Sequence, residues 1–172
     1  CVPMFAIGTA AGTGVYISED RRTSGIFIED EAIELKSARR INQQLGDQVH
    51  INVTSFNRNV LLTGEAPTAT MQADAEKLVM SVDNVRKIFN EIAVAGNTSL
   101  ATRSNDSLIT SKVKGRFLSA RKFQINHIKI VTENSIVYLM GMVTRQEADS
   151  AAEIASSTSG VARVVKVFEY LN

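Results

Sequence analysis

The chain lacks tryptophan, has two prolines and carries one cysteine in 172 residues. One cysteine excludes an internal disulfide and every zinc site built from several thiolates. Two histidines leave little for a histidine-based metal centre. Charge of one sign is missing too. Nineteen Lys and Arg stand against eighteen Asp and Glu, a formal net charge of +1, so the chain as a whole is no polyanion binder. Nor is there an apolar run near the roughly 18 residues that a membrane-spanning helix needs. The opening stretch from Val2 to Ile17 is apolar in parts, but Gly8, Gly12 and Gly14 interrupt it and Glu19-Asp20-Arg21-Arg22 ends it. It also lacks the basic start of a signal peptide.

What is present begins with the place of that cysteine. Cys1 heads the chain, ahead of a run rich in Gly, Ala, Thr and Ser. One reading is an arbitrary boundary. The other, taken as the expectation, is a bacterial lipoprotein whose modified Cys becomes residue 1 once a signal peptide is cut away. Several acyl chains, at about 0.8 kcal/mol per buried CH₂, anchor durably where one chain would not. Residues 1–28 then form a lipidated flexible tether with an irregular lead-in.

The body of the chain repeats. Residues 50–64, HINVTSFNRNVLLTG, align without a gap on residues 127–141, HIKIVTENSIVYLMG, each position meeting its partner 77 further on. Both copies read as β-hairpins. Ile51/Val53 and Val60/Leu62 alternate at period two, as a half-buried sheet requires. The turns fall in Ser55–Asn59 and Thr132–Ser135, where Asn accepts turn geometry. Gly64 and Gly141 close the second strands, where a side chain would obstruct a turn or a close backbone approach. Helical periodicity follows each hairpin: Met71, Ala75, Leu78, Val79 and Val82 in one copy, Ala148, Ala151, Ala152 and Ala155 in the other. Thr144-x-x-Glu147 is a capping box, and Pro67-Thr68 marks the matching start. A final strand follows each helix, over Val85–Ala93 and Val161–Leu171.

Another helix precedes each hairpin. Asp30 is read as the cap of one presenting Ile33, Ala38, Ile41 and Leu45. Asp106 or Ser104 is read as the cap of one presenting Ile109, Val113 and Phe117. The class is therefore α+β, in two tandem units of α-β-β-α-β, each a three-stranded mixed sheet with two helices. The boundaries read as 29–93 and 105–172, joined by a linker over 94–104. Units of this size are marginal alone, so docking would help both.

Charge separates the units. Residues 29–93 hold ten acids against seven bases, whereas residues 105–172 hold six acids against nine bases. Five of those nine bases fall in Lys112–Lys122 with no acid among them. On a helix, Leu108, Lys112 and Arg116 flank the buried stripe, while Lys114 and Leu118 lie on the far side. Arg121 and Lys122 follow at its exit. Exposed Leu beside Lys and Arg suits an anionic membrane surface, each base adding about 1 kcal/mol. A solvated charged face is the plainer reading. Gly115, costing up to about 1 kcal/mol within a helix, suggests a close contact.

Nothing in the chain resembles a catalytic constellation. Neither His lies in a motif of nucleophilic catalysis. His50 and His127 hold equivalent repeat positions and read as structural, one per copy being too few for a metal site. No cofactor is implied, because no glycine-rich phosphate loop appears. Small units of this kind also bring RNA-binding KH folds to mind, but those need a GxxG loop that this chain lacks, which argues against nucleic acid.

The ordered set of motifs resembles a known family. Val60-Leu61-Leu62-Thr63-Gly64 and Val137-Tyr138-Leu139-Met140-Gly141 end the hairpins in the manner of BON domains. Ser159-Gly160-Val161 before the last strand fits as well, with Asp83-Asn84-Val85 in the first copy; Gly160 there is a structural position, and Asn84 tolerates the left-handed backbone in its place. Together with Cys1, DRRTSG at Asp20–Gly25, SNDSLITSKV at Ser104–Val113 and VTENSIVYLMG at Val131–Gly141, the chain looks like a dual-BON outer-membrane lipoprotein. The resemblance implies a lipid anchor on Cys1 at the periplasmic face of the outer membrane and support of envelope integrity. It implies anionic phospholipid bound through the second BON unit, with links to division sites and to the barrel-assembly machinery. The site residues on this reading are Leu108, Lys112, Lys114, Gly115, Arg116, Leu118, Arg121 and Lys122, the same helix that the charges single out. An adaptor for the barrel-assembly or peptidoglycan machinery, with the basic helix docking a protein, is the alternative.

Overall fold

A computed structural model describes residues 21–171 of the chain; the expectations placed on Cys1 and the leader lie outside them. The first unit contains α1 (Ser24–Leu45), β1 (His50–Phe56), β2 (Asn59–Ala66), α2 (Ala69–Met80), β3 (Lys87–Asn90) and a short β4 (Ala93–Val94). The second contains α3 (Leu100–Ala120), β5 (Ile128–Glu133), β6 (Ile136–Val143), α4 (Arg145–Ser156) and β7 (Arg163–Tyr170). In each unit the hairpin is antiparallel and the strand after the crossover helix lies parallel to its second strand. In the first unit that strand breaks at Glu91-Ile92, and β4 resumes the pairing with β2. The fold is α+β, with the α-β-β-α-β order read from the sequence.

The two leading helices start earlier than their acids suggest. Thr23 caps α1 and Ser99 caps α3, each through its side-chain oxygen, so α1 begins within the stretch read as lead-in and α3 within the stretch read as linker. Asp30 and Asp106 are not caps. Both are buried inside their helices, and each carboxylate accepts backbone N–H groups from its own unit's hairpin turn: Asn57 and Arg58 for Asp30, Asn134 and Ser135 for Asp106. All four turn residues have positive φ, between 49° and 65°, the pattern of a type I′ hairpin whose amides point away from the ladder. The other two helix starts are as read, with Thr68 capping α2 and a complete capping box at Thr144/Glu147 on α4.

Gly64 and Gly141 sit within β2 and β6, two residues before the strands end. A Cβ there would lie 1.9 Å from the His50 carbonyl oxygen, or 2.2 Å from that of His127, so the close approach is real although the strands continue past it. Asn84 (φ 71°) and Gly160 (φ 92°) take the same left-handed backbone at equivalent turns.

Each unit has its own core between helices and sheet. Ile33, Ile41 and Leu45 of α1 meet Val60 and Leu62, joined by Ala75 and Val79 of α2. Ile109, Val113 and Phe117 of α3 meet Val137 and Leu139, joined by Ala148, Ala151 and Ala155 of α4. Ala38 is exposed, and Ser37 takes the inward position instead.

The expectation of half-buried sheets fails at the central strands, β2 and β6. Seven of the eight residues of β2 are buried, because the two sheets stack face to face. Phe56 and Leu61 of the first pack against Tyr138, Met140 and Val167 of the second, forming a third apolar cluster between the units. Helices thus cover the outer face of each sheet and the other sheet covers its inner face. Polar links frame this seam. Lys129 Nζ meets Glu34 Oε1 at 2.6 Å, and Asn57 Nδ2 donates to Glu169 Oε2 at 2.8 Å. The acidic unit supplies Glu34 and the basic unit Lys129, a charge pairing that favours this docking.

Candidate functional site

Helix α3 is where the sequence places the binding residues. Asp106, Ile109, Val113 and Phe117 point inward, which fixes the rest of its surface outward at roughly 100° per residue. Leu108 and Leu118 are 53% and 58% exposed, large apolar side chains with no core to enter. Leu100, at the first turn of the same helix, is more exposed still. Lys112, Lys114, Arg121 and Lys122 are also exposed, and the backbone N–H of Arg121 closes the helix against the Phe117 carbonyl.

Arg116 is exposed as well, but its side chain is engaged. Its guanidinium donates to the Ile154 carbonyl at 2.8 Å, to Ser157 Oγ at 3.1 Å and to Thr158 Oγ1 at 2.8 Å. It therefore satisfies the C-terminal end of α4, where carbonyls lack helical partners. Lys112 Nζ reaches Ser159 Oγ at 3.3 Å, a long contact on an exposed chain. Between α3 and the segment 157–159 lies a shallow cavity of about 610 Å³, walled by Lys112, Gly115, Arg116 and five hydroxyls including Ser111 and Ser159. Beyond its chain neighbours and the backbone of its own helix, nothing lies within 4 Å of where a Cβ on Gly115 would stand. The close contact expected at Gly115 is absent; the missing side chain leaves the cavity open.

A second polar cluster lies at the seam. His50 and Glu65 face each other across β1 and β2, with Nδ1 2.7 Å from Glu65 Oε2. Glu133, at the end of β5 in the other unit, accepts hydrogen bonds from Asn52 Nδ2 and, at 3.3 Å, from Thr63 Oγ1. Burial pushes the Glu133 carboxyl above its ordinary value, and the Glu65 charge adds to this; the Asn52 and Thr63 bonds and the His50 charge oppose it. Counting one His per unit as too few for a metal left out these acids, which reach His50 from across the hairpin and across the seam. Donor atoms of His50, Glu65 and Glu133 lie within 4.8 Å of one another. Residues 83 positions apart leave no local pattern, so the sequence alone could not show the cluster.

A third link ties the start of the described chain to the second unit. Arg21 makes two 2.7 Å bonds to the Glu147 carboxylate and a third to the Met142 carbonyl. The Glu147 carboxyl is held below its ordinary value chiefly by that Arg21 bond, which outweighs partial burial.

Comparison with known proteins accounts for this architecture. The BON domain matches residues 29–96 and again residues 105–172. The outer membrane lipoprotein DolP of Haemophilus influenzae is 35% identical over 158 residues, spanning 91% of this chain and 82% of that protein. The 21 kDa hemolysin of Actinobacillus pleuropneumoniae is 34% identical, spanning 88% and 79%. The osmotically-inducible protein Y of Escherichia coli is 26% identical, spanning 91% and 80%. The chain belongs to the BON-domain family, as a protein with two BON domains in tandem that is similar along most of its length to an outer membrane lipoprotein.

Proposed function

We propose that this protein is a lipid-anchored component of the outer membrane, held at its periplasmic face through Cys1. There its second BON domain touches anionic phospholipid and so supports the envelope. The likeness to a lipoprotein supports the anchor and the location. The observation that carries the lipid contact is on α3: exposed Leu108 and Leu118 share the helix with Lys112 and Lys114, and no acid lies among the bases from Lys112 to Lys122. Apolar side chains enter the acyl boundary while ammonium groups remain at the phosphates. Arg116 shares this surface but serves it as a positioning residue, because one of its terminal nitrogens is committed to the end of α4. The protein works by contact rather than by catalysis.

Vesicle co-sedimentation of the soluble chain tests this reading, with phosphatidylglycerol-containing vesicles against purely zwitterionic ones. The wild type sediments with the anionic vesicles. At about 1 kcal/mol per base near the surface, charge reversal at Lys112 and Lys114 lowers that binding by at least roughly 30-fold. Binding unchanged by the reversal rejects lipid contact through α3 and favours the adaptor reading, with a protein docked on this helix.

A further inference from the structure

We propose that His50, Glu65 and Glu133 form a divalent-cation site between the two BON domains, matched best to zinc. The first reason is charge. Two carboxylates converge on one imidazole, and both acids are over nine-tenths buried. Among the described residues no lysine or arginine pairs with Glu65 or Glu133. Buried carboxylates are satisfied by a cation or by hydrogen-bond donors, and a divalent ion set between these two acids and the imidazole would serve both acids at once.

The second reason is the repeat. Histidine stands at both equivalent positions, 50 and 127, but the acids do not recur. Position 142, equivalent to Glu65, is Met, and position 56, equivalent to Glu133, is Phe. Acids therefore occur at these positions only where the stacked sheets bring them to the same histidine.

The third reason is geometry. Zinc bound at about 2.1 Å by imidazole nitrogen and carboxylate oxygen needs donors some 3–4 Å apart. The three donors lie within 4.8 Å of one another, with His50 Nδ1 and Glu65 Oε2 in a 2.7 Å hydrogen bond that zinc would replace. Side-chain rotations that open the His50–Glu65 pair by about 0.5–1 Å and close the widest pair by about 1 Å set the three donors, and a water completes four-coordination. Thr63 and Asn52 both donate to Glu133 Oε1 and so orient the carboxylate, as residues around a metal ligand do. One domain gives two ligands and the other gives the third, so binding the ion strengthens docking.

The test is a zinc titration of the untagged, chelator-stripped chain, followed by competition with a chromophoric chelator and by thermal unfolding, with calcium and magnesium in parallel. The expected result is one equivalent of zinc, with Tm raised by about 5 °C at a hundredfold excess over Kd. His50→Gln and Glu133→Gln each weaken binding by at least 100-fold, while His127→Gln leaves it unchanged. Absence of saturable zinc binding overturns the proposal, as does zinc binding that survives both substitutions or preference for calcium or magnesium. If a variant fails to fold, X-ray absorption of the zinc-loaded wild type decides. Imidazole nitrogen with carboxylate oxygen supports the site, and sulfur in the shell, which only Cys1 or a methionine could supply, rejects it.

Discussion

The Asp30 carboxylate accepts the backbone N–H of Asn57 at 2.8 Å, joining the middle of α1 to the tip of the hairpin that follows it. It also takes the Arg58 N–H at 2.7 Å, the Ser55 hydroxyl at 2.7 Å and the Arg22 guanidinium at 3.0 Å. Asp106 repeats the turn contacts alone, at 2.8 Å to both Asn134 and Ser135. One buried acid thus satisfies the amides that a type I′ turn leaves unpaired, and sets helix and hairpin in register. Replacing it strands those donors, at about 1–3 kcal/mol for each buried group left unsatisfied. Asp106→Ala is expected to destabilise the protein by about 2–4 kcal/mol in urea unfolding. Asp30→Ala should exceed it, because the Ser55 hydroxyl and the Arg22 guanidinium also lose this carboxylate at the same buried site.

Three glycines should respond in three ways. Gly64→Ala sets a methyl group 1.9 Å from a backbone carbonyl at φ 111°, combining a clash with a strained backbone. Gly141→Ala meets a similar clash at 2.2 Å without the positive φ. Gly115→Ala enters open space within a helix. Thermal unfolding should rank them Gly64→Ala lowest and Gly141→Ala next, with Gly115→Ala above wild type by about 0.5–1 kcal/mol.

Much of this arrangement could be read from the residues, and the exceptions share a cause. The hairpins declare themselves by alternation around Asn57 and Asn134, and α4 by its capping box. Asp30 and Asp106 mislead because an acid before an apolar run is also what a helix start looks like; the turn amides they accept lie 27 to 29 residues away and leave no local trace. Arg116 falls on the same helical row as Leu108 and Lys112, so periodicity cannot distinguish a capping arginine from a membrane-facing one. The seam did leave a signal. Val60-Leu61-Leu62 and the run Ile136–Met140 are apolar at consecutive positions, the mark of a strand covered on both faces. That mark tells of a cover without naming it, and the cover here is the other copy of the repeat.

The seam should make the two domains one cooperative unit. Leu61 is fully buried among residues of both domains. Leu61→Ala is expected to cost about 2–5 kcal/mol, by lost transfer energy and the cavity left behind. Wild type should unfold in a single transition by circular dichroism and by tyrosine fluorescence. Leu61→Asp should separate the domains and give two transitions; coincident curves for that variant would show that the domains unfold together without the apolar contact.

Acid should loosen the link between Arg21 and the second domain. The Glu147 carboxyl titrates below the ordinary value of 4.5 in the folded protein, held down first by the Arg21 hydrogen bond. A depressed folded value stabilises at pH above the unfolded value, in full, and the contribution fades as pH falls through the folded one. Arg21→Ala should therefore lower Tm relative to wild type at neutral pH, and the two curves should converge below about pH 4.5. A gap that stays constant into acid would mean that the Met142 carbonyl, rather than Glu147, is the partner that matters.

Stability and membrane contact should part company on α3. Arg116 binds three oxygens at the end of α4 with one terminal nitrogen, a geometry that the single ammonium of a lysine on a shorter reach does not reproduce. Arg116→Lys keeps the charge, so its binding to phosphatidylglycerol vesicles should stay close to wild type while unfolding becomes easier by about 1–2 kcal/mol. Lys112→Ala with Lys114→Ala should do the reverse. Both side chains are exposed, so the fold should be unaffected to within about 0.5 kcal/mol. Vesicle affinity should drop by roughly 30-fold at low salt, and by less as salt screens the surface. If Arg116→Lys abolished vesicle binding while the protein stayed folded, the guanidinium itself would be the lipid ligand. The cavity beside Gly115, rather than the outer row of lysines, would then be where the headgroup sits.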